Sequence, residues 1–480
     1  MQWKRVGSCA AALALMMTIG VQPALAAATP YRLSVPSGYV SSFSDVQEDD
    51  WYYDYVAVLN SRGMIDGYGN GLFGANDPLT SGAALVMVLK AAGSGDLAAT
   101  GDHWASGYAD YAVSQGYLTR EQIGDLDQPM ARVLVAELAA RALGVEPSSE
   151  RSPFSDVDNG YLTALYELGI ITGSEEDGET VFLPDQPITR AEISVIVWQV
   201  DRVHTYGEQI LFQGAYYDIL EDVPVNTYDP EGFSKDENGY ITYTEDGVYV
   251  TKGVDVSVHQ GTIDWQQVAD AGFDFAMIRV GYRGYGTEGN MRGDTQFLNN
   301  VQGALDAGLD VGIYYFSQAI TVEEARQEAA YVIEQIAPYR ITYPVVFDWE
   351  RQNYAGSRTQ TIPDTGLLCS MANAFCADIE AAGYEAMIYF YQNLAYNNLD
   401  LSQLLDYPFW LAQYTDYPSF YYDFDMWQYT SSGKVPGISG NVDLNLRFFR
   451  DGELPPEDSG DVEDTPPSQD IPSSQDGAPK

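Results

Sequence analysis

Between residues 253 and 449, short apolar runs alternate with stretches in which apolar residues recur at helical spacing. The helical stretches, at 264–271, 296–307, 321–336 and 367–382, separate the earlier runs, which predicts a mostly parallel sheet. Eight candidate strands in about 200 residues predict an irregular, TIM-like (β/α) barrel with little room for late helices; an open doubly wound sheet is the alternative. The runs are 253–256, 275–280, 311–316, 344–347, 386–391, 409–413, 424–428 and 442–444.

The N-terminal third contains an internal repeat. The sequence Phe-Ser-Asp-Val at 43–46 recurs at 154–157, and each occurrence leads through a helical stretch and a proline-containing turn into a second helix. We place three copies at 41–95, 100–145 and 152–203, of which the middle one is the faintest. One helix–loop–helix unit cannot bury its apolar face alone, so the three are expected to pack into an α-helical domain.

This repeat resembles the S-layer homology domain, whose members commonly anchor proteins to anionic secondary polymers of the cell wall. The resemblance implies a secondary cell-wall polymer as a possible anchor, bound through Arg190 in the third copy and Arg132 in the second. The first copy reads Thr80-Ser81-Gly82-Ala83, without the arginine and glutamate of the family motif, and the second lacks the threonine and glutamate. A purely structural remnant is therefore the alternative.

The two ends of the chain have their own composition. Residues 1–26 combine a basic start, a short apolar run and a small-residue cleavage site, which predicts a signal peptide. The run is shorter than the ~20 residues that span a bilayer, so a membrane anchor is the weaker interpretation. We expect a secreted protein at the cell surface or wall, with no transmembrane segment in its mature form. Residues 204–250 are interpreted as a connector, and the Pro-, Ser- and acid-rich residues 451–480 as a disordered tail.

The composition is strongly acidic, with 69 Asp and Glu against 24 Lys and Arg and a formal net charge of -45. Such a charge repels phosphate backbones and anionic lipid surfaces, so nucleic acid is excluded as a partner. Histidines number only three, at 103, 204 and 259, which leaves few imidazole ligands for a metal. We predict no metal and no cofactor.

Carboxylates occur at the predicted strand ends. Asp255 lies in the first run, Asp348 and Glu350 follow the fourth, and Asp443 lies in the eighth. The carboxyl ends of barrel strands meet at one mouth, so these side chains should converge. Residues i and i+2 of a strand share a face, and glycosidic cleavage needs a carboxylic acid together with a second carboxylate. The Asp348–Glu350 pair is therefore the candidate catalytic pair, with metal binding or a structural role as alternatives.

A second resemblance covers essentially all of residues 251–450. The collinear motifs resemble glycoside hydrolase family 25, the muramidases of lysozyme type, and Tyr315 departs from them because the family often has His there. The motifs are GVDVSVHQG at 253–261, IDW at 263–265, IRVGY at 278–282, GIYYF at 312–316, DWE at 348–350, WLAQY at 410–414, MWQY at 426–429 and VDLN at 442–445.

The resemblance implies an enzyme that acts on bacterial peptidoglycan and cleaves the β-1,4 bond between N-acetylmuramic acid and N-acetylglucosamine. By position, Glu350 corresponds to the general acid, and Asp348 to the group that stabilises positive charge or orients the substrate's 2-acetamido group. A direct carboxylate nucleophile stays open. Asp255 and Asp443 correspond to supporting carboxylates.

Further side chains near the strand ends are candidates for sugar binding, with core packing as the alternative for each aromatic ring. A non-catalytic, surface-anchored protein that binds wall glycan is the alternative function. The substrate-binding candidates are Tyr314, Tyr389, Trp410, Gln413, Tyr414 and Trp427.

Overall fold

The computed structural model describes residues 31–450, so the predicted signal peptide and acidic tail lie outside the described residues. The described chain divides into two compact units, with the boundary between Val223 and Pro224. This boundary splits the predicted connector between the two units. Among residues 31–450, no helix has the length and apolar character needed to cross a bilayer.

Within its described residues, 31–223, the first unit contains seven helices and two short antiparallel hairpins, β1–β2 and β3–β4. Its longest helix, α7, begins with a capping box in which Thr189 and Glu192 satisfy each other's backbone N–H groups. The elements are α1 (Tyr53–Ser61), α2 (Ser81–Ala91), α3 (Ser106–Ser114), α4 (Arg120–Ile123), α5 (Arg132–Ala142), α6 (Gly160–Glu167), β1 (Ser174–Glu176), β2 (Glu179–Val181), α7 (Arg190–Tyr206), β3 (Gln209–Phe212) and β4 (Ala215–Asp218).

The three loops that lead into α2, α5 and α7 pair with one another. Single β-bridges join Pro78 to Thr189, Thr80 to Pro129, and Ala131 to Pro187, so each loop contacts both others. The two Phe-Ser-Asp-Val segments also make the same hydrogen bonds. The carboxylates of Asp45 and Asp156 each accept two backbone N–H groups from a later segment of their own copy.

The second unit is built on one large sheet, with a 3₁₀ turn at Val258–Gln260 next to the site described below. The four helices expected from periodicity are found as α8 to α11. The elements are β5 (Phe233–Lys235), β6 (Ile241–Tyr243), β7 (Val248–Val256), α8 (Trp265–Asp270), β8 (Phe275–Arg283), β9 (Met291–Gly293), α9 (Phe297–Asp306), β10 (Asp310–Ser317), α10 (Val322–Ile336), β11 (Val345–Trp349), α11 (Thr365–Ala381), β12 (Ala386–Tyr391), α12 (Gln392–Asn398), β13 (Phe409–Ala412), β14 (Met426–Gly433) and β15 (Val442–Arg450).

Eight of these strands close into a barrel in the order β7, β8, β10, β11, β12, β13, β14, β15, and β9 extends β8 as an added antiparallel strand. Pairing of β10 with β8 and of β15 with β7 completes the closure, which removes the open doubly wound alternative. The prediction of a TIM-like (β/α) barrel is wrong: β15 runs antiparallel to both neighbours, and the described residues 413–441 contain no helix. The structure is an eight-stranded β-barrel with helices after its earlier strands.

Residues 224–250 cover the part of the barrel that lacks helices. The Tyr228 ring lies 4.3 Å from that of Phe448 in β15, and its hydroxyl donates to Phe424 O at 3.0 Å. In the β5–β6 hairpin, Phe233 packs edge-on against Trp427 of β14 at 5.4 Å. Aromatic rings from this segment therefore shield outer faces of β14 and β15 that a helix would cover in a regular (β/α) barrel.

Candidate active site

The four predicted carboxylates converge at the carboxyl ends of the parallel strands. Asp255 lies in β7 and Asp348 in β11, Glu350 is the first residue after β11, and Asp443 lies in the antiparallel β15. The register of β15 with β7 sets Asp443 directly opposite Asp255. Burial raises the pKa values of the other three carboxyl groups, and the negative charge of Asp255 raises each of them further, so all four form one electrostatic cluster.

Asp348 is the deepest of the predicted catalytic pair. Burial raises its pKa well above the ordinary value, and the negative charges of Glu350 and Asp255 raise it further. The positive charge of Arg279 acts in the opposite direction. Among the described residues, Asp348 Oδ1 is buried without a hydrogen-bond partner. Because this oxygen has no partner within the described chain, it is available to bind a group that enters the site.

Glu350 is a half-buried residue, whereas Asp348 is buried. Burial raises its pKa, a hydrogen bond from the Tyr389 hydroxyl opposes that change, and the charge of Asp255 adds to it. Because two neighbouring carboxylates resist simultaneous ionisation, the Asp348–Glu350 pair retains a proton at pH values where isolated carboxyls have lost theirs. An accessible, protonated carboxyl is what a general acid requires.

Two amide side chains hold Asp255 in place. Its Oδ2 accepts hydrogen bonds from Gln428 Nε2 at 2.9 Å and from Asn445 Nδ2 at 2.8 Å. Each amide is oriented from its other end, since Gln428 Oε1 accepts from the Tyr414 hydroxyl and Asn445 Oδ1 accepts from the Trp410 indole N–H, both at 2.9 Å. Gln428 and Asn445 stand in the quoted sequence motifs, but their roles were not predicted because spacing does not show side-chain partners.

Arg279 is the second feature that sequence reasoning missed. It lies in β8, and its guanidinium binds the Asp294 carboxylate at 2.8 Å. It is also the positive charge that acts on Asp348 and on the Tyr314 hydroxyl. The signal in the sequence was an arginine within an otherwise apolar strand, where charged residues occur only with a partner.

The predicted sugar-binding residues lie in three different surroundings. Tyr314, Tyr389 and Trp410 come together: the Trp410 ring lies edge-on to Tyr389 at 5.1 Å and to Tyr314 at 6.3 Å. Tyr414 is 55% exposed near them. Trp427, with 0% exposure, packs within the protein. Its indole N–H donates to Gln413 O, while the Gln413 side chain exchanges two hydrogen bonds with Ser419.

In the first unit, both predicted polymer-binding arginines begin a helix and reach into another copy of the repeat. Arg190 donates to Phe73 O at 2.7 Å and to Asp66 O at 2.5 Å in the first copy, and is buried. Arg132 forms an ion pair with Glu192 of the third copy. These arginines therefore join copies of the repeat.

Comparisons with known proteins agree with the two-unit organisation. Glycosyl hydrolases family 25 matches residues 254–438, and the S-layer homology domain matches residues 42–84 and 153–193. The middle copy, at 100–145, stays a prediction.

Two curated relatives each match about 40% of this chain. The autolytic lysozyme of Clostridium acetobutylicum is 28% identical over 195 residues, which is 40% of this chain and 55% of the relative. Lysozyme M1 of Streptomyces globisporus is 29% identical over 204 residues, 40% of this chain and 66% of the relative. The chain thus spans between about half and two thirds of the length of these relatives.

Among solved structures, the modular autolysin LytC from Streptococcus pneumoniae, in complex with a synthetic peptidoglycan ligand, aligns with a TM-score of 0.38 and 26% identity. The alignment covers 49% of this chain and 55% of that one. The two family models thus match different parts of the chain: the S-layer homology domain matches stretches of the first unit, and glycosyl hydrolases family 25 matches most of the barrel.

Proposed function

We propose that this protein is a peptidoglycan hydrolase of the N-acetylmuramidase type, which cleaves the β-1,4 bond between N-acetylmuramic acid and N-acetylglucosamine. The observation that carries the proposal is the partly exposed Glu350, with its raised pKa, beside buried Asp348 inside the matched glycosyl hydrolase residues. The names of the two curated relatives, both lysozymes, support the same substrate class.

In this proposal Glu350 donates its proton to the glycosidic oxygen as the bond to the leaving sugar breaks. The raised pKa lets Glu350 keep this proton to a higher pH than an ordinary glutamate does. The accessible position of Glu350 suits contact with a polymer entering from solvent.

Asp348 then acts on the positive charge that develops at the sugar ring. When Glu350 holds the shared proton, Asp348 is the carboxylate. Burial raises the pKa of Asp348 and opposes this charged form, while the positive charge of Arg279 favours it. Asp348 either stabilises the cation directly or orients the 2-acetamido group of the substrate for attack on the anomeric carbon. In both cases water then adds to that carbon and gives a proton back to Glu350, which completes the hydrolysis. Gln428 and Asn445 hold Asp255 in place. Together with its partner Asp443, Asp255 determines the charge of the barrel mouth around the catalytic pair.

The bond specificity is tested by the products. Purified peptidoglycan is digested with the full-length protein, and the new reducing ends are reduced with borohydride and identified by mass spectrometry. A muramidase yields reduced muramic acid. Reduced glucosamine at the new ends would show cleavage of the other glycosidic bond and contradict the proposed specificity.

We further propose that the S-layer homology repeats keep the exported enzyme at the cell surface by binding a secondary cell-wall polymer. Arg132 is the more suitable contact, because Arg190 is buried against backbone carbonyls. Co-sedimentation with isolated walls, before and after the acid extraction that removes such polymers, tests this. The proposal is supported if the protein no longer sediments with extracted walls and if Arg132→Gln no longer sediments with intact walls. Equal binding of the wild-type protein to intact and extracted walls contradicts it.

A further inference from the structure

Glu350 lies just beyond the part of the sheet that fixes backbone positions. The pairing of β11 with β10 ends at Trp349 opposite Ser317, and the pairing with β12 ends at Asp348 opposite Tyr389. Glu350 is therefore the first residue outside both ladders, at the start of the loop that leads to α11. A side chain that must hold a proton at a fixed point needs another constraint there.

Gln318 supplies a contact of that kind. It follows the last residue of β10 and has 0% exposure. Its Nε2 donates to the backbone carbonyl of Glu350 at 2.6 Å and to that of Ser317 at 2.9 Å. The side-chain amide thus joins the end of one barrel strand to the residue that follows the neighbouring strand.

The orientation of this amide is determined from its other side. The Thr359 hydroxyl donates to Gln318 Oε1 at 2.6 Å and accepts the backbone N–H of Gln352 at 3.0 Å. Reversing the amide would set its oxygen against two carbonyl oxygens, so one orientation satisfies every partner. Arg351 adds a further tie across the same loop, with two hydrogen bonds to Gln360 O.

We infer that Gln318 is a positioning residue for Glu350, and that with Thr359 it holds the 350–360 loop so that the Glu350 carboxyl stays in place at the barrel mouth. The inference rests on the proposed function in taking Glu350 as the proton donor. Gln318 touches the backbone of Glu350, so it acts on the reaction only through that residue.

The test compares three variants of the full-length protein. Gln318→Met keeps the length of the side chain and removes its three hydrogen bonds. Thr359→Val keeps the shape of the side chain and removes the hydroxyl. This variant tests the same contact if Gln318→Met does not fold. Thr251→Val is the matched control, because it removes a buried hydrogen bond to the Tyr343 hydroxyl at the opposite end of the barrel.

For Gln318→Met we expect kcat on soluble peptidoglycan fragments to fall at least about tenfold with little change in KM, since a displacement of ~1 Å can cost roughly a hundredfold. Thr359→Val should show a smaller loss in the same direction. Thr251→Val should lose thermal stability yet keep kcat. If Gln318→Met and Thr359→Val lose stability but match Thr251→Val in kcat, Gln318 is merely structural and the inference is wrong.

A measurement without turnover separates this inference from the proposed function. The Glu350 carboxyl is titrated by ¹³C NMR and assigned by its absence in Glu350→Gln. A loosened loop would hydrate this carboxyl, so its pKa should fall toward the ordinary value in Gln318→Met and stay unchanged in Thr251→Val. If wild type fails to cleave peptidoglycan, the proposed function fails and this titration alone decides the role of Gln318. If the pKa of the Glu350 carboxyl is the same in Gln318→Met as in wild type, the positioning role of Gln318 is wrong.

Discussion

Asp443 and Asp255 face each other across the antiparallel pairing of β15 with β7, and their carboxyl groups are hydrogen-bonded to each other. A hydrogen bond between two carboxyl groups needs a proton on one of them. Burial raises the pKa of Asp255 as well, but its Oδ2 accepts two amide N–H groups, which favour its charged form. We therefore place the proton on Asp443, which has no such donors among the described residues. Burial, together with the charge of Asp255, raises the pKa of Asp443 to about 8.

This arrangement predicts a pH-dependent stability. Between the unfolded value of 3.8 and the folded value of about 8, the folded protein binds more protons at Asp443 than the unfolded chain does. Stability from this group is therefore complete below the lower value and is lost as the pH rises through the upper one. Asp443→Asn, which imitates the neutral acid, should raise the melting temperature relative to wild type by a few degrees at pH 9 and by much less at pH 4.

Thermal melts at both pH values measure this difference. A gain of equal size at pH 4 and pH 9 would show that Asp443 does not carry the proton. Asp246→Asn, at an exposed position just before β7, is a suitable control because it lies outside the carboxylate cluster.

The amides that hold Asp255 should be important for stability. Asn445→Leu leaves the Trp410 indole N–H without its acceptor and deprives Asp255 of one donor, so we expect a loss of about 2 kcal/mol or more in the free energy of unfolding. Chemical denaturation measures it. Asn299→Leu, at an exposed position of α9, should change stability by less than about 0.5 kcal/mol. Equal effects of the two substitutions would contradict the role given to Asn445.

The sequence predicted the strands and carboxylates of the second unit well, because a buried strand and its polar end leave a direct pattern. The run at 386–391 coincides with β12, and β11 ends within the DWE motif, at Trp349. The direction of β15 was not predictable, since an apolar run reads the same in parallel and antiparallel pairing. The sequence also did not show which side chains at the end of β14 face the site. Gln428 reaches Asp255, while its neighbour Trp427, a predicted sugar-binding residue, faces the aromatic residues that precede the barrel.

The segment before the barrel should be required for its stability. Tyr228 and the β5–β6 hairpin pack on β14 and β15, so a fragment of residues 248–450, which begins with β7, would expose those aromatic surfaces to water. We expect residues 224–450 to unfold cooperatively at a higher temperature than residues 248–450, with less aggregation. Equal melting temperatures for the two fragments would show that residues 224–247 do not stabilise the barrel.

Arg190 should stabilise the first unit whether or not it binds polymer. Arg190→Gln deprives Phe73 O and Asp66 O of their donors and removes a cation lying 4.8 Å from the Phe73 ring. Unfolding of residues 31–223 should show a loss of about 1–3 kcal/mol. Arg132→Gln, which gives up a partly exposed ion pair with Glu192, should cost less. The reverse order would mean that the buried contacts of Arg190 contribute little.

The central claim is that Glu350 supplies the proton for cleavage of wall glycan. The most direct measurement is the release of soluble fragments from purified peptidoglycan by wild type, Glu350→Gln and the exposed control Glu380→Gln. We predict that wild type and the control release fragments, and that Glu350→Gln is slower by about 10²–10⁴-fold, the usual contribution of a general acid. Undiminished release by Glu350→Gln would remove Glu350 from the chemistry, and no release by wild type would make the barrel a wall-binding module.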